Sequence, residues 1–279
     1  MENIELNIVF LGDIVGRSGR EAVKDQIAKI KSKYNPDFII ANGENMAGGA
    51  GVEEKTAKEI YNCGVNFLTN GNHIWNKREI FPFLEKNRER IIRPYNYANL
   101  PNGDKTPGHG TAIVEVKGLK IGIASLIGRV FMPDLVDCPF HAADRILKNE
   151  FSNCDLIFID FHAEATSEKY AFARYLDGRV NLVVGTHTHV QTADEQIFDK
   201  GTGFICDLGM CGAINSVIGV DSAPVISRFL TGFPHRFNSA TGASMVNGLA
   251  INYSSSSNSE ESLISKRFFI SNIERINLR

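Results

Sequence analysis

The chain has 279 residues, is 43% hydrophobic and is nearly balanced in charge, with 30 basic and 32 acidic side chains for a formal net of −2. That is ample apolar content for a buried core and leaves no sequence-wide field toward nucleic acid or anionic lipid, so a small diffusible substrate is expected and stable nucleic-acid binding is not. No stretch approaches about 18 uninterrupted apolar residues, so no membrane span is expected. The opening residues carry neither a basic n-region nor a small-residue cleavage site, and the five cysteines form no C-x-x-C pair, so a cytoplasmic protein with reduced thiols is expected.

The first third alternates short apolar runs with amphipathic segments. Leu6 to Leu11 reads as a strand, Ser18 to Tyr34 as a helix with apolar Ala22, Val23, Ile27 and Ile30, and Asp37 to Ala41 as a second strand. Val52 to Cys63 reads as a helix that Gly64 can cap, and Val65 to Thr69 as a third strand. A β-α-β-α-β start implies parallel strands joined by right-handed crossovers. Thr111 to Val116 and Leu119 to Leu126, joined by Lys117-Gly118, read as a hairpin that brings antiparallel pairing into a sheet. After a loop from Gly128 to Phe140 come a helix at His141 to Phe151, a strand at Asp155 to Phe161, a helix at Ser167 to Leu176 and a strand at Val180 to Val184. Further strands are expected at Glu195 to Phe198 and Gly203 to Asp207. Residues 208 to 243 read as loop with a short helix near Pro224 to Leu230. Strands at Gly248 to Tyr253 and Leu263 to Ile270 flank a polar turn at Ser254 to Glu261. No repeat or inter-domain linker interrupts this, so one α/β domain over residues 1–279 with mixed sheets is expected.

In open α/β sheets the ligand-binding edge lies at the carboxyl ends of the strands. The residues that follow the strands are Gly12-Asp13, Asn42-Gly43-Glu44-Asn45, Asn70-Gly71-Asn72-His73, His162-Ala163-Glu164 and Gly185-Thr186-His187-Thr188-His189. Singly, each is ordinary turn, capping or structural chemistry. Together, five strand ends on one edge carry carboxylates, amides and four histidines, which one metal site explains at once. The glycines beside them let the backbone approach a ligand or turn tightly. Imidazole, carboxylate and amide without thiolate suit iron, manganese or zinc. Were the strand to continue through His187 and His189, its two-residue period would turn both rings to one face with alpha carbons roughly 6.5 Å apart, at about 3.3 Å per residue. Two ions about 3.5 to 4 Å apart could then take one ring each, with Glu44 bridging.

These strings resemble the calcineurin-like metallophosphoesterases, and most closely their YmdB-like branch, through FLGDIVGRSGR, ANGENMAGG, TNGNHIW and GTHTHVQTADE. The resemblance implies a four-layer α/β/β/α sandwich holding two divalent or trivalent transition-metal ions, iron foremost and manganese next. It implies Asp13, Glu44, Asn45 and His189 as ligands of one ion and Glu44, Asn72, His162 and His187 as ligands of the other. His73 would be the general acid in the hydrolysis of a cyclic nucleotide, 2′,3′-cyclic AMP in particular, by in-line attack of a metal-bridging hydroxide. Two positions depart from the wider superfamily and match the branch. Val15 stands where a histidine is usual, and Glu44 where an aspartate is usual. Arg17, Arg20 and Arg129 are candidate phosphate contacts, and Trp75 and Phe131 candidate base-stacking residues. The alternatives are a non-enzymatic metal-dependent regulator or scaffold on the same fold, and a dinucleotide-binding oxidoreductase. The second is disfavoured because Gly12, Gly16 and Gly19 have the wrong spacing and the histidines would be idle. The outer hairpin could serve a homo-oligomer interface.

Overall fold

A computed structural model of the chain describes residues 4–99, 106–255 and 268–279. In chain order the strands and helices are β1 (Glu5–Ile14), α1 (Gly16–Tyr34), β2 (Phe38–Asn42), α2 (Glu54–Cys63), β3 (Phe67–Thr69), α3 (Phe81–Lys86), β4 (Thr111–Val116), β5 (Leu119–Ile127), α4 (Pro139–Asn149), β6 (Leu156–His162), α5 (Thr166–Tyr175), β7 (Leu182–Thr186), β8 (Gln196–Ile197), β9 (Gly203–Ile205), β10 (Met210–Ala213), α6 (Ser222–Thr231), β11 (Ser244–Ser255) and β12 (Phe268–Leu278). They form two six-stranded sheets, ordered β12-β11-β10-β1-β2-β3 and β4-β5-β6-β7-β9-β8. Parallel pairing of β1 with β2 and of β2 with β3 follows from the crossover helices between them. The β4–β5 hairpin is antiparallel, and its turn at Lys117 (φ 51°) and Gly118 (φ 76°) has the two left-handed residues that a tight hairpin requires.

Three apolar clusters define four layers. Leu6, Ile8 and Phe10 of β1 meet Ile121, Ile123, Phe158, Leu182 and Val184 of the second sheet in a core between the sheets. Val9 and Leu11, on the other face of β1, pack with Ala22, Val23, Ile27 and Ile30 of α1 and with Ala57 and Ile60 of α2. Ile159, Phe161 and Val183 pack against Ala142 and Ile146 of α4 and Phe172 of α5. The strand period of two thus makes each central strand apolar on both faces, and helices cover both outer faces in an α/β/β/α sandwich.

Three differences from the sequence reading bear on the site and the sheets. Met210–Ala213, expected as loop, is a strand that pairs parallel with β1 at Asp13 and Ile14. Four residues including a glycine are too short and too weakly patterned to register as a strand, and their pairing is what makes them one. The last strand runs from Phe268 to Leu278, where Leu263 to Ile270 was expected. Residues 263–267 and most of the polar turn, 256–261, lie outside the described residues. Finally, β7 stops at Thr186, so His187 and His189 are not strand residues.

Candidate metal centre

The inward rows of the strands turn polar at one edge. In β6 the residues sharing a face with Leu156 and Phe158 are Asp160 and His162. In β7 Thr186 continues the row of Leu182 and Val184. In β2 and β3 Asn42 and Thr69 follow Ile40 and Phe67. All five polar side chains are buried. In β1 the register against β2 shifts between Leu11 and Asp13, so Leu11 and Ile14, three apart, both face the helices. This bulge at Gly12 turns Asp13 toward the site. Gly12 is obligatory because a Cβ there would overlap the carbonyl of Gly209.

Glu44, His162 and His187 form a compact group whose ligand atoms all lie within 4.8 Å of one another. His162 Nε2 is 3.3 Å from Glu44 Oε1, 3.1 Å from Asn72 Oδ1 and 3.1 Å from His187 Nδ1. Glu44 Oε2 accepts from the backbone N–H of His73 at 3.0 Å, which fixes the start of the short 3-10 turn over Asn72–Asn76 beside the carboxylate. Gly71 lets this happen, since a Cβ there would run into Glu44 Oε2 and the His162 ring. On the other side His189 Nε2 lies 3.8 Å from Asp13 Oδ1 and 3.2 Å from Asn45 Nδ2, and Asn45 Nδ2 also donates to Glu44 Oε1 at 3.1 Å. All seven expected metal residues therefore meet at one place, with Glu44 between the two halves.

The HTH triplet does so by a route other than the one expected. His187 has φ 97° and His189 φ 65°, left-handed conformations that non-glycine residues adopt at a cost of order 1–3 kcal/mol each unless held there. They are held. Thr188 between them donates both its backbone N–H (3.2 Å) and its hydroxyl (2.7 Å) to Asp207 Oδ2, and buried Lys169 of α5 donates to the same oxygen at 2.8 Å. The outward nitrogens of both rings are also engaged. His187 Nε2 lies 3.2 Å from Glu164, and His189 Nδ1 donates to the carbonyl of Ile218 at 2.8 Å. Donation by those nitrogens leaves His187 Nδ1 and His189 Nε2 as lone pairs facing the cluster, the tautomers a cation requires.

The electrostatics fit a cation as well. Asp13 is fully buried and its Oδ1 has no hydrogen-bond partner among the described residues, an arrangement that costs free energy unless something positive takes the lone pairs. Burial, opposed by His189 and His162, pushes the Asp13 carboxyl up to about 7. For Glu44 burial acts upward too, yet the adjacent His162 outweighs it and holds the carboxyl down at about 2. Burial would lower His162, but Glu44 raises it to about 9, whereas burial and the neighbouring His162 press His187 down to about 3. In the metal-free chain a proton on His162 thus stands in for a cation. Asn45 presents its amide nitrogen to Glu44 and His189, so ligation through Oδ1 requires the amide to turn over.

The remaining candidates separate cleanly. Arg17 pairs with Glu21 on the surface of α1. Arg20 ties Glu59 of α2 to the Met46 carbonyl, bracing the Glu44–Asn45 loop. Trp75 packs edge-on against Phe81 and Tyr97, with ring centroids at 5.7 and 5.2 Å, and belongs to a helix-facing core. Phe131 is 84% exposed, on the loop after β5 whose Arg129 and Val130 N–H groups are gripped by Glu168. Sequence reasoning missed Asp160, Lys169, Asp207 and Glu164 as supports. The signal was present for two of them, an aspartate inside the apolar run LIFIDF and a lysine on the buried face of a helix.

A family model described as "YmdB-like protein" matches residues 9–265. The chain is also 46% identical over 246 residues to a 2′,3′-cyclic-nucleotide 2′-phosphodiesterase of Bacillus subtilis (strain 168), covering 88% of this chain and 90% of that one. This chain belongs to the YmdB-like family. A crystal structure described as a novel phosphatase of Mycoplasma pneumoniae superposes with a TM-score of 0.88 at 32% identity, over 99% of this chain and 94% of that one. NAD nucleotidase of Haemophilus influenzae, at 14% identity and a TM-score of 0.60 over 99% of this chain and 57% of that one, shares the fold. The YmdB-like strings quoted from the sequence carry six of the seven residues that meet at the polar edge, His162 of β6 being the seventh.

Proposed function

We propose that the chain is a metal-dependent phosphodiesterase that opens a 2′,3′-cyclic nucleotide, 2′,3′-cyclic AMP foremost, in the cytoplasm. The observation that carries this reading is the meeting of the seven expected residues at one polar edge, with Glu44, His162 and His187 grouped there and Asp13 Oδ1 without a hydrogen-bond partner among the described residues, in a chain with a closely similar phosphodiesterase relative. Asp13, Asn45 and His189 would hold one cation and Asn72, His162 and His187 the other, with Glu44 shared. Oxygen and imidazole donors without thiolate suit iron, manganese or zinc, and the resemblance to the YmdB-like branch puts iron first and manganese next. When bound, such a pair lowers the pKa of water and neutralises charge on the phosphate oxygens.

The chain's own residues supply the rest. By holding the cations, the carboxylates of Asp13 and Glu44 and the three imidazoles would set where the anionic phosphate can sit, since the carboxylates alone would repel it. Hydrolysis forms a bond from the water oxygen to phosphorus and breaks the P–O2′ bond. The departing ribose oxygen needs a proton, and the product is a nucleoside 3′-phosphate. His73 follows the ligand Asn72 and is anchored by its backbone to Glu44, so its imidazole is the group assigned to give that proton.

The test is an assay of metal-replete protein on 2′,3′-cyclic AMP, 3′,5′-cyclic AMP and bis-(p-nitrophenyl) phosphate. Preferred turnover of the first, lost in His187→Ala, supports the reading. Two bound ions with no hydrolysis of any of the three would transfer the weight to a regulatory protein on this fold.

A further inference from the structure

Beneath the metal centre lies a carboxylate that touches none of the proposed cations' ligand atoms directly. Asp160 of β6 is fully buried and sits where the two sheets meet. Its Oδ2 accepts from Asn42 Nδ2 of β2 at 3.0 Å and from Thr69 Oγ1 of β3 at 2.5 Å, both from the facing sheet. Its Oδ1 accepts from Thr186 Oγ1 of β7 at 2.7 Å. For Asn42 and Thr186 the neighbours bear on the direction of the bond. Asn42 Oδ1 is taken by the backbone N–H of Glu44 at 3.1 Å, so the amide hydrogens of Asn42 face Asp160. Thr186 has a single hydroxyl hydrogen. Given to Asp160, it leaves the Thr186 oxygen as an acceptor, and the group 2.9 Å away is His162 Nδ1.

We propose that Asp160 is the positioning residue of the site, acting through Thr186 to keep the His162 hydrogen on Nδ1 and through Asn42 to seat the backbone of Glu44. This deepens the metal-centre reading and rests on it. With the hydrogen on Nδ1, the Nε2 lone pair points at the space shared by Glu44, Asn72 and His187. The opposite tautomer would place a hydrogen there and exclude a cation. One carboxylate thereby aligns two ligands that arrive from different sheets, and it ties their spacing to the packing of the sheets themselves. Outer partners of this kind typically change metal affinity by about 10- to 100-fold when removed.

Thr186→Val and Thr186→Ser separate the hydroxyl from the shape of the side chain. Metal dissociation constants are read by competition against a chromophoric chelator, and folding is checked by thermal melting. Thr186→Val is expected to weaken one of the two ions by about 10- to 100-fold, while Thr186→Ser stays near the parent. Asp160→Asn, nearly isosteric, provides the second arm in case the valine variant does not fold. Its amide can offer hydrogens to Thr186, which turns the hydroxyl toward His162 Nδ1 and selects the wrong tautomer, so weakening of the same ion is expected. In zinc-loaded protein labelled with ¹⁵N-histidine, the buried His162 Nδ1–H should exchange slowly in the parent and in Thr186→Ser, and fast in Thr186→Val. A parent chain that takes up two ions, with folded variants that bind both as tightly and show the same His162 signal, overturns the proposal alone. A parent that takes up no ion overturns the metal-centre reading with it.

Discussion

The ion pair behind the HTH triplet makes a quantitative prediction. Lys169 and Asp207 are each 1% exposed and 2.8 Å apart, and Asp207 also receives Thr188 through both its N–H and its hydroxyl and the N–H of Gly209. Lys169→Met keeps the volume and removes the charge, leaving a buried carboxylate without its cation, which typically costs about 3–5 kcal/mol. With an unfolding entropy of about 2.1 cal/mol/K per residue, 279 residues give roughly 0.6 kcal/mol/K, so Tm should fall by about 5–8 °C. The same change loosens the anchor that holds Thr188 between two left-handed histidines. Metal retention should therefore fall along with stability, and the first ion lost should be the one assigned to His189. The assay is calorimetry on metal-free and metal-loaded protein, followed by elemental analysis after dialysis against a weak chelator. A metal-free Tm within about 1 °C of the parent would mean that the pair is worth no more than an exposed one, and the account of the loop would be wrong.

Three further outcomes are expected. His73→Ala should reduce kcat by about 10²- to 10⁴-fold with metal content unchanged, and full retention of activity would remove His73 from the role of acid. Gly71→Ala should fold yet lose metal, because its new methyl group competes for the space of Glu44 Oε2 and the His162 ring, and an unchanged metal count would refute that crowding. Metal affinity should also depend on pH in a definite sense. The metal-free chain holds a proton on His162 up to about 9 and one on Asp13 up to about 7, and binding expels both. Affinity should rise about tenfold per unit between pH 7 and 9, more steeply below 7, and level off above 9, and a titration that is flat from pH 6 to 9 would contradict this.

Much of the site could be read before the fold was known because its residues follow the ends of strands whose apolar runs are legible. The parallel start places Asp13, Glu44 and Asn72 at a common edge, and the strands read at Asp155 to Phe161 and Val180 to Val184 end just before His162 and the HTH triplet, whereas Asp160, on the same face as His162, is passed over. What escaped depends on non-local geometry. The bulge that aims Asp13 arises from pairing of β1 with β2, and β10 is a strand because β1 and β11 lie on either side of it. His187 and His189 were expected to share a strand face, whereas they converge through left-handed turns held by Asp207, a residue 20 positions beyond His187. No local pattern announces that support, since it depends on α5 bringing Lys169 underneath.

The most direct test of a shared dinuclear centre is the metal content of the parent and of Glu44→Ala, each purified under conditions that protect native metal and counted by elemental analysis. About two transition-metal ions per chain are expected in the parent and close to none in the variant, because Glu44 lies between both halves of the ligand set. A folded Glu44→Ala chain that still carries two ions, or a parent that neither holds nor takes up any, would contradict the central claim.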